Sequence, residues 1–180
     1  KQHKNVKTIL EKRTGFSGDL RTQKTKHLAG IKTKEATYLE NNCIFKFNVD
    51  ETYFSPRLSE ERKKTAEEIS KLTKKTRAKI LVMFAGISPY PIILGKKLKK
   101  EEKKAKIYSN ELNKKANEYA EKNIQLNKLT KEVQLIEGNA EKLPNKISEK
   151  MDIILMTRPN LEKTFLKTAL KLSKKGTTIL

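Results

Sequence analysis

An α/β fold with a mostly parallel sheet is what this chain predicts, on three features of its sequence. Five short apolar runs of β type recur from residue 78 onward, at 79–84 (KILVMF), 105–109 (AKIYS), 132–136 (EVQLI), 151–156 (MDIILM) and 177–180 (TTIL). Stretches that look helical separate them, and alternating strands and helices make parallel strands with helices on the sheet faces. The first run ends in Phe84-Ala85-Gly86-Ile87-Ser88-Pro89, a glycine turn into a helix whose first turn suits proline.

Each element follows in order. Residues 1–42, with Gly15, Gly18 and Gly30 among many Thr and Lys, read as part of a separate small α/β module. Residues 43–49 (CIFKFNV) alternate as a half-buried strand should. Ser59 is an N-cap candidate for a helix over about 60–75, with Glu60 and Glu61 suiting the positive end of its dipole. Ala116, Tyr119, Asn123 and Ile124 fall near one helix face, as do Phe165, Ala169 and Leu172, and core packing accounts for both sets. The charge run at 96–106 (KKLKKEEKKAK) reads as a solvated turn. Residues 43–180 form a second domain, expected to be incomplete because the last run stops inside a strand; the chain also opens on Lys1 rather than Met.

Composition narrows the function. Lys+Arg 41 against Asp+Glu 21 leaves a net charge of +20, an excess that favours a polyanionic partner such as RNA. The longest apolar runs are strand-sized, so no membrane span is expected, and with no signal-peptide pattern a cytoplasmic protein, taken as a monomer, follows. Cys43 is the single cysteine and His3 and His27 stand far apart, which leaves no disulfide framework and no Cys/His zinc site; no metal is expected.

In a doubly wound sheet the ligand sits at the carboxyl ends of the central strands. Gly86 there lets the backbone approach a ligand, and Glu111, 25 residues on, stands where such folds place a carboxylate for ribose hydroxyls. Gly138-Asn139-Ala140 follows the third strand and Met156-Thr157-Arg158-Pro159 the fourth. There is neither a GxxxxGK[ST] loop nor a complete GxGxxG, which argues against ATP and NAD. S-adenosyl-L-methionine, whose binding needs no pyrophosphate cradle, fits better.

A second constellation is Tyr53-Phe-Ser-Pro-Arg-Leu-Ser-Glu-Glu-Arg62. Only six of the 41 basic residues are arginine, and Arg57, Arg62 and the Arg21 of SGDLRT lie in these two stretches, where a planar guanidinium rather than mere charge is indicated. SGDLRT, FKFNVDETYFSPRLSEER, MFAGISPY, SNELNKKANEYAEKNIQLNKL and MTRPN together resemble the archaeal and eukaryotic tRNA (guanine-N1)-methyltransferases in order and spacing.

That resemblance implies a Rossmann-like class I methyltransferase preceded by part of an RNA-positioning module. It also implies methyl transfer from S-adenosyl-L-methionine to N1 of the guanosine 3′ of the tRNA anticodon. It makes Glu61 the general base and Arg21 the cation that offsets charge on the base's O6. Tyr53, Arg57 and Arg62 would shape the target pocket or touch the cofactor. Phe84, Ala85, Gly86, Ser88, Pro89, Glu111, Asn139, Ala140 and Pro159 would hold the cofactor, with Thr157 beside both ligands. Without the resemblance, Glu61 reads as a dipole-complementing helix residue. Four positions depart from the family pattern: Val82 for an aspartate, Ser88 for a glycine, Asn139 for an aspartate and Thr157-Arg158-Pro159 for an asparagine-containing turn. Two alternatives therefore stand beside the methyltransferase: aminocarboxypropyl transfer in wyosine synthesis, against which the intact SPRLxxER speaks, and a tRNA-binding relative weakened in catalysis.

Overall fold

A computed structural model describes residues 6–73, 77–158 and 164–180. Its centre is a five-stranded sheet of β5 (Ala78–Met83), β6 (Ala105–Glu111), β7 (Val133–Glu137), β8 (Met151–Met156) and β9 (Ser173–Ile179). The strands lie in the order β7-β6-β5-β8-β9 and every pair is parallel. The chain runs outward from β5 to β7 and then returns to the other side of β5, so the β5/β8 boundary is the switch point at which such sheets open a crevice.

Alternation along β5 explains its two-sided burial. Ile80 and Val82 pack toward α1 (Ser59–Leu72), α2 (Pro89–Lys100) and α3 (Lys114–Leu126), whereas Leu81 and Met83 pack toward α4 (Leu143–Lys146) and α5 (Leu166–Leu172). Each face buries alternate side chains, and so the strand reads as a continuous apolar run. The last strand begins at Ser173, four residues before the expected start, because its first residues are polar and gave no apolar signal.

Two antiparallel hairpins precede the sheet: β1 (Thr8–Lys12) with β2 (Thr25–Gly30), and β3 (Glu35–Glu40) with β4 (Cys43–Asn48). Asn41 and Asn42 turn the second hairpin with φ of 49° and 58°, the paired left-handed conformation of a tight hairpin turn. The expected domain boundary at 42/43 therefore runs through a hairpin, and β3 belongs with the body that follows. Among the described residues before 42 there are strands but no helix. β3 goes with that body because it pairs residue by residue with β4, whose Cys43, Phe45 and Phe47 enter the main core.

The other edge of β4 is closed by a helix. Asn123 Oδ1 accepts from Lys46 N (2.7 Å) and its amide donates to Lys46 O (3.1 Å). One turn later, Asn127 does the same for Ile44 N (3.0 Å) and O (2.8 Å). Two amides spaced i, i+4 thus replace a neighbouring strand. Asn123→Ala or Asn127→Ala leaves two backbone groups of β4 without partners, and each is expected to cost about 2 kcal/mol in urea denaturation. A loss within 0.5 kcal/mol, an estimate at the level of ordinary surface changes, would show the edge to be solvated instead.

The helix over the SPRLSEER stretch starts differently from expectation. Pro56–Leu58 form a 3-10 turn, Leu58 occupies the N-cap of α1, and Ser59 makes no cap. Pro56 already fixes a helical φ there, so the chain turns before reaching Ser59. The helix closes at Leu72, and residues 74–75 of its expected end lie outside the described ones.

Candidate functional site

The carboxyl end of β5 enters a turn of unusual backbone. Phe84, Gly86 and Ser88 all have positive φ, at 61°, 56° and 65°. A bulky aromatic in this region costs about 1–3 kcal/mol and persists only where its surroundings hold it. Here Ala85 N donates to Asn110 O (2.8 Å), Thr157 Oγ1 donates to Phe84 O (2.9 Å), and the Phe84 ring meets Phe165 edge-to-face at 4.9 Å. The strained turn aims Gly86 N at Glu111 Oε2, 2.8 Å away.

Ser88 occupies a left-handed position where glycine costs nothing, and its buried hydroxyl is satisfied by Ser109 Oγ at 2.7 Å. Val82 is fully buried in the helix-side core and lies away from the cavity. Neither departure from the family pattern removes a group from the cavity wall.

That wall encloses a cavity of about 630 Å³ at the carboxyl ends of β5, β6, β7 and β8. Glu111 lines it with both oxygens engaged, Oε2 by Gly86 N and Oε1 by Asn113 N (2.8 Å). A carboxylate has about four acceptor sites, so two remain for ligand hydroxyls. Asn139 is exposed beside it; its Oδ1 accepts from Glu141 N (2.8 Å) and caps the short turn after β7, and its NH2 has no partner among the described residues. Ala140 is buried on the same wall, while Thr157 spends its hydroxyl proton on Met83 O and Phe84 O.

A loop from the first hairpin closes the cavity. Ser17 and Thr22 bridge its base, and Gly18 and Arg21 take positive φ. It is tied down at both sides: Asn113 Nδ2 donates to Leu20 O (3.2 Å) and Arg158 Nη1 to Asp19 O (2.9 Å). Arg21 consequently lies over the Tyr53 ring at 4.1 Å, and Phe16 meets that ring edge-on at 4.9 Å. The Arg21 Nε is buried and has no hydrogen-bond partner among the described residues, a donor left for a ligand oxygen.

Of the residues expected at the site, the cavity gathers Arg21, Tyr53, Phe84, Gly86, Glu111, Asn139, Ala140 and Thr157. Ala85, Ser88 and Pro89 are buried and shape the turn without lining the cavity. Arg57 is exposed on the 3-10 turn beside Leu58, which lines the cavity. Glu61 is exposed on the first turn of α1, outside the lining, and accepts a 2.6 Å hydrogen bond from Tyr90 Oη. Pro159 lies outside the described residues.

Arg62 is a correction. Its side chain is 2% exposed and forms a forked ion pair with Glu40 at 2.6 and 2.7 Å, a third bond to Ser55 O at 2.9 Å, and a stack on Phe54. Its Nε and Nη2 donors are spent inside the fold, and it lies outside the cavity lining. Sequence reading missed Asn110, Asn113, Arg158 and Phe165 on the cavity wall. Asn113 carried a signal, because an asparagine opening a helical stretch is a strong N-cap, and it does cap α3.

Among the described residues no helix is long and apolar enough to cross a membrane, and no group of three or more His, Cys, Asp or Glu could hold a metal ion.

Comparison with known proteins places this architecture. The chain is 44% identical over 129 residues to the tRNA (guanine(37)-N(1))/4-demethylwyosine(37)-methyltransferase Taw22 of Nanoarchaeum equitans, covering 72% of this chain and 40% of that protein. Among solved structures, aTrm5 in its complex with tRNALeu superposes with a TM-score of 0.80 at 25% identity, covering 96% of this chain and 47% of that one. TYW2 of M. jannaschii in complex with AdoMet gives a TM-score of 0.64 at 28% identity, over 83% of this chain and 63% of that one. The chain thus spans roughly half the length of such relatives. The fold is Rossmann-like, of the class I methyltransferase kind, as the sequence predicted. Residues 36–180 match the family described as TRM5/TYW2 methyltransferase domain, so the chain belongs to that family.

Proposed function

We propose that the protein carrying this chain transfers the methyl group of S-adenosyl-L-methionine to N1 of the guanosine 3′ of the tRNA anticodon, acting as a cytoplasmic monomer. The observation that carries this reading is the meeting of Arg21 and Glu111, 90 residues apart in sequence, on one cavity wall. One is suited to an electron-rich base oxygen and the other to ribose hydroxyls. The cavity fits the cofactor: it lies within the usual volume of small-molecule sites, Glu111 retains acceptor capacity, and Gly86 opens the floor to close approach. Glu111 would hold the ribose, and the Asn139 NH2 would donate to an acceptor nitrogen of the adenine. When bound, the cofactor supplies a methyl carbon made electrophilic by its sulfonium.

The chain's own groups would do the rest. Guanine N1 carries a proton at neutral pH, so a carboxylate must take it as the N1–methyl bond forms and the sulfonium–methyl bond breaks to leave a thioether. Glu61 takes that role at the cavity rim, while Arg21 offsets the charge spreading to O6. With a tRNA transcript bearing guanosine at this position, methyl transfer is expected, and with adenosine there it is not. Equal transfer to both transcripts would sink the assignment. Glu61→Gln is expected to lower kcat by about 10²–10⁴-fold and to leave cofactor affinity in calorimetry unchanged.

A second reading is favoured by the double name of the N. equitans relative: methyl transfer to 4-demethylwyosine at the same position. Supplying tRNA carrying that base and weighing the product nucleoside separates this activity, and aminocarboxypropyl transfer as well, from guanosine methylation.

A further inference from the structure

We propose that Tyr90 is a positioning residue that holds the Glu61 carboxylate at the rim of the cavity, an inference that rests on the function proposed above. Tyr90 and Glu61 stand on the first turns of α2 and α1, two helices packed against each other. The phenol Oη donates to Glu61 Oε1 at 2.6 Å, the short length of a hydrogen bond to a charged acceptor. Leu58, three residues before Glu61 in the chain, lines the cavity, which puts Glu61 on the side of the helix start that borders it.

The arrangement is one-sided. The Tyr90 ring is half-buried and packed on the main core, which restricts the position of its hydroxyl. An exposed glutamate has three freely rotating bonds, and a base on such a side chain spends little time in reach of one nitrogen. A hydrogen bond from a rigid donor confines it. Among the described residues only Oε1 is engaged, and Oε2 keeps its lone pairs for the incoming proton. Burial, then the hydrogen bond to Glu61, push the Tyr90 phenol well above its ordinary range, with Glu40 adding to this and Arg62 opposing it. The phenol therefore stays a donor at any pH at which the enzyme would work.

Tyr90→Phe keeps the ring and removes only the hydroxyl. In steady-state kinetics of the full-length protein on a guanosine-bearing tRNA transcript, kcat is expected to fall about 10-fold. KM for tRNA and for S-adenosyl-L-methionine should stay within about twofold, since the hydroxyl touches neither ligand. In the Glu61→Gln background the same substitution is expected to change kcat no further, because residues acting as a unit are not additive. An undiminished kcat in Tyr90→Phe, an equal fall in both backgrounds, or a raised KM with unchanged kcat would each overturn the inference while the unsubstituted protein still methylates. Absence of transfer by the unsubstituted protein overturns the proposed function first, and this inference with it.

Discussion

Arg62→Met is expected to destabilise the folded chain by about 3–5 kcal/mol, seen as a lowered urea midpoint. The side chains of Arg62 and Glu40 are each 2% exposed, and the fork of two bonds between them fastens the end of the β3–β4 hairpin to α1. Removing the cation strands a buried carboxylate and leaves Ser55 O without its donor. Two responses remain: the carboxyl takes up a proton, or the hairpin end lifts to bring it into water. Replacing both partners, as Glu40→Leu with Arg62→Met, is expected to recover most of the loss, since the penalty is the isolated charge and not the missing attraction. An Arg62→Met protein of undiminished stability that has lost affinity for S-adenosyl-L-methionine would restore the cofactor-contact role and refute the structural one.

Loss of Glu111 should be the largest single effect on ligand binding. In calorimetric titration with S-adenosyl-L-methionine, Glu111→Ala is expected to weaken binding by about 100-fold or more, the sum of two hydrogen bonds to a charged acceptor at about 1.5–3 kcal/mol each. The same carboxylate holds Gly86 N and Asn113 N, so its removal also releases the strained turn after β5 and the start of α3. Glu111→Gln keeps an acceptor oxygen but places an NH2 against one of those two N–H groups. It is expected to lose about 10-fold, between alanine and the unsubstituted protein. Affinity within threefold in Glu111→Ala would remove this carboxylate from the cofactor site.

Both residues were taken from the sequence as cofactor contacts. Glu111 lines the cavity because strand β6 delivers it to the carboxyl edge of the sheet, where its backbone partners leave lone pairs over. Arg62 does not, because the helix turns the guanidinium inward to an acid 22 residues earlier. Neighbouring positions in SPRLSEER thus have opposite fates: Glu61 faces solvent, and Arg62 is locked into the core.

What the sequence by itself determined was everything that repeats locally. Period-two burial in β4, continuous apolar runs in β5 and β8, and a glycine followed by proline after β5 are signals carried by adjacent residues, so strands, turn and sheet type could be read directly. The carboxylate at 111 was legible too, because its distance from the turn is set by the length of one strand–helix unit. Only the tertiary structure decided the long-range polar pairings: Asn123 and Asn127 with the edge of β4, Glu40 with Arg62, and Asp19 and Leu20 with Arg158 and Asn113. A buried amide or guanidinium must find a partner somewhere, but which one depends on how separate elements dock, and that leaves no period in the sequence. For the same reason the loop carrying Arg21 could be named from its residues, while its place over Tyr53 required the folded chain.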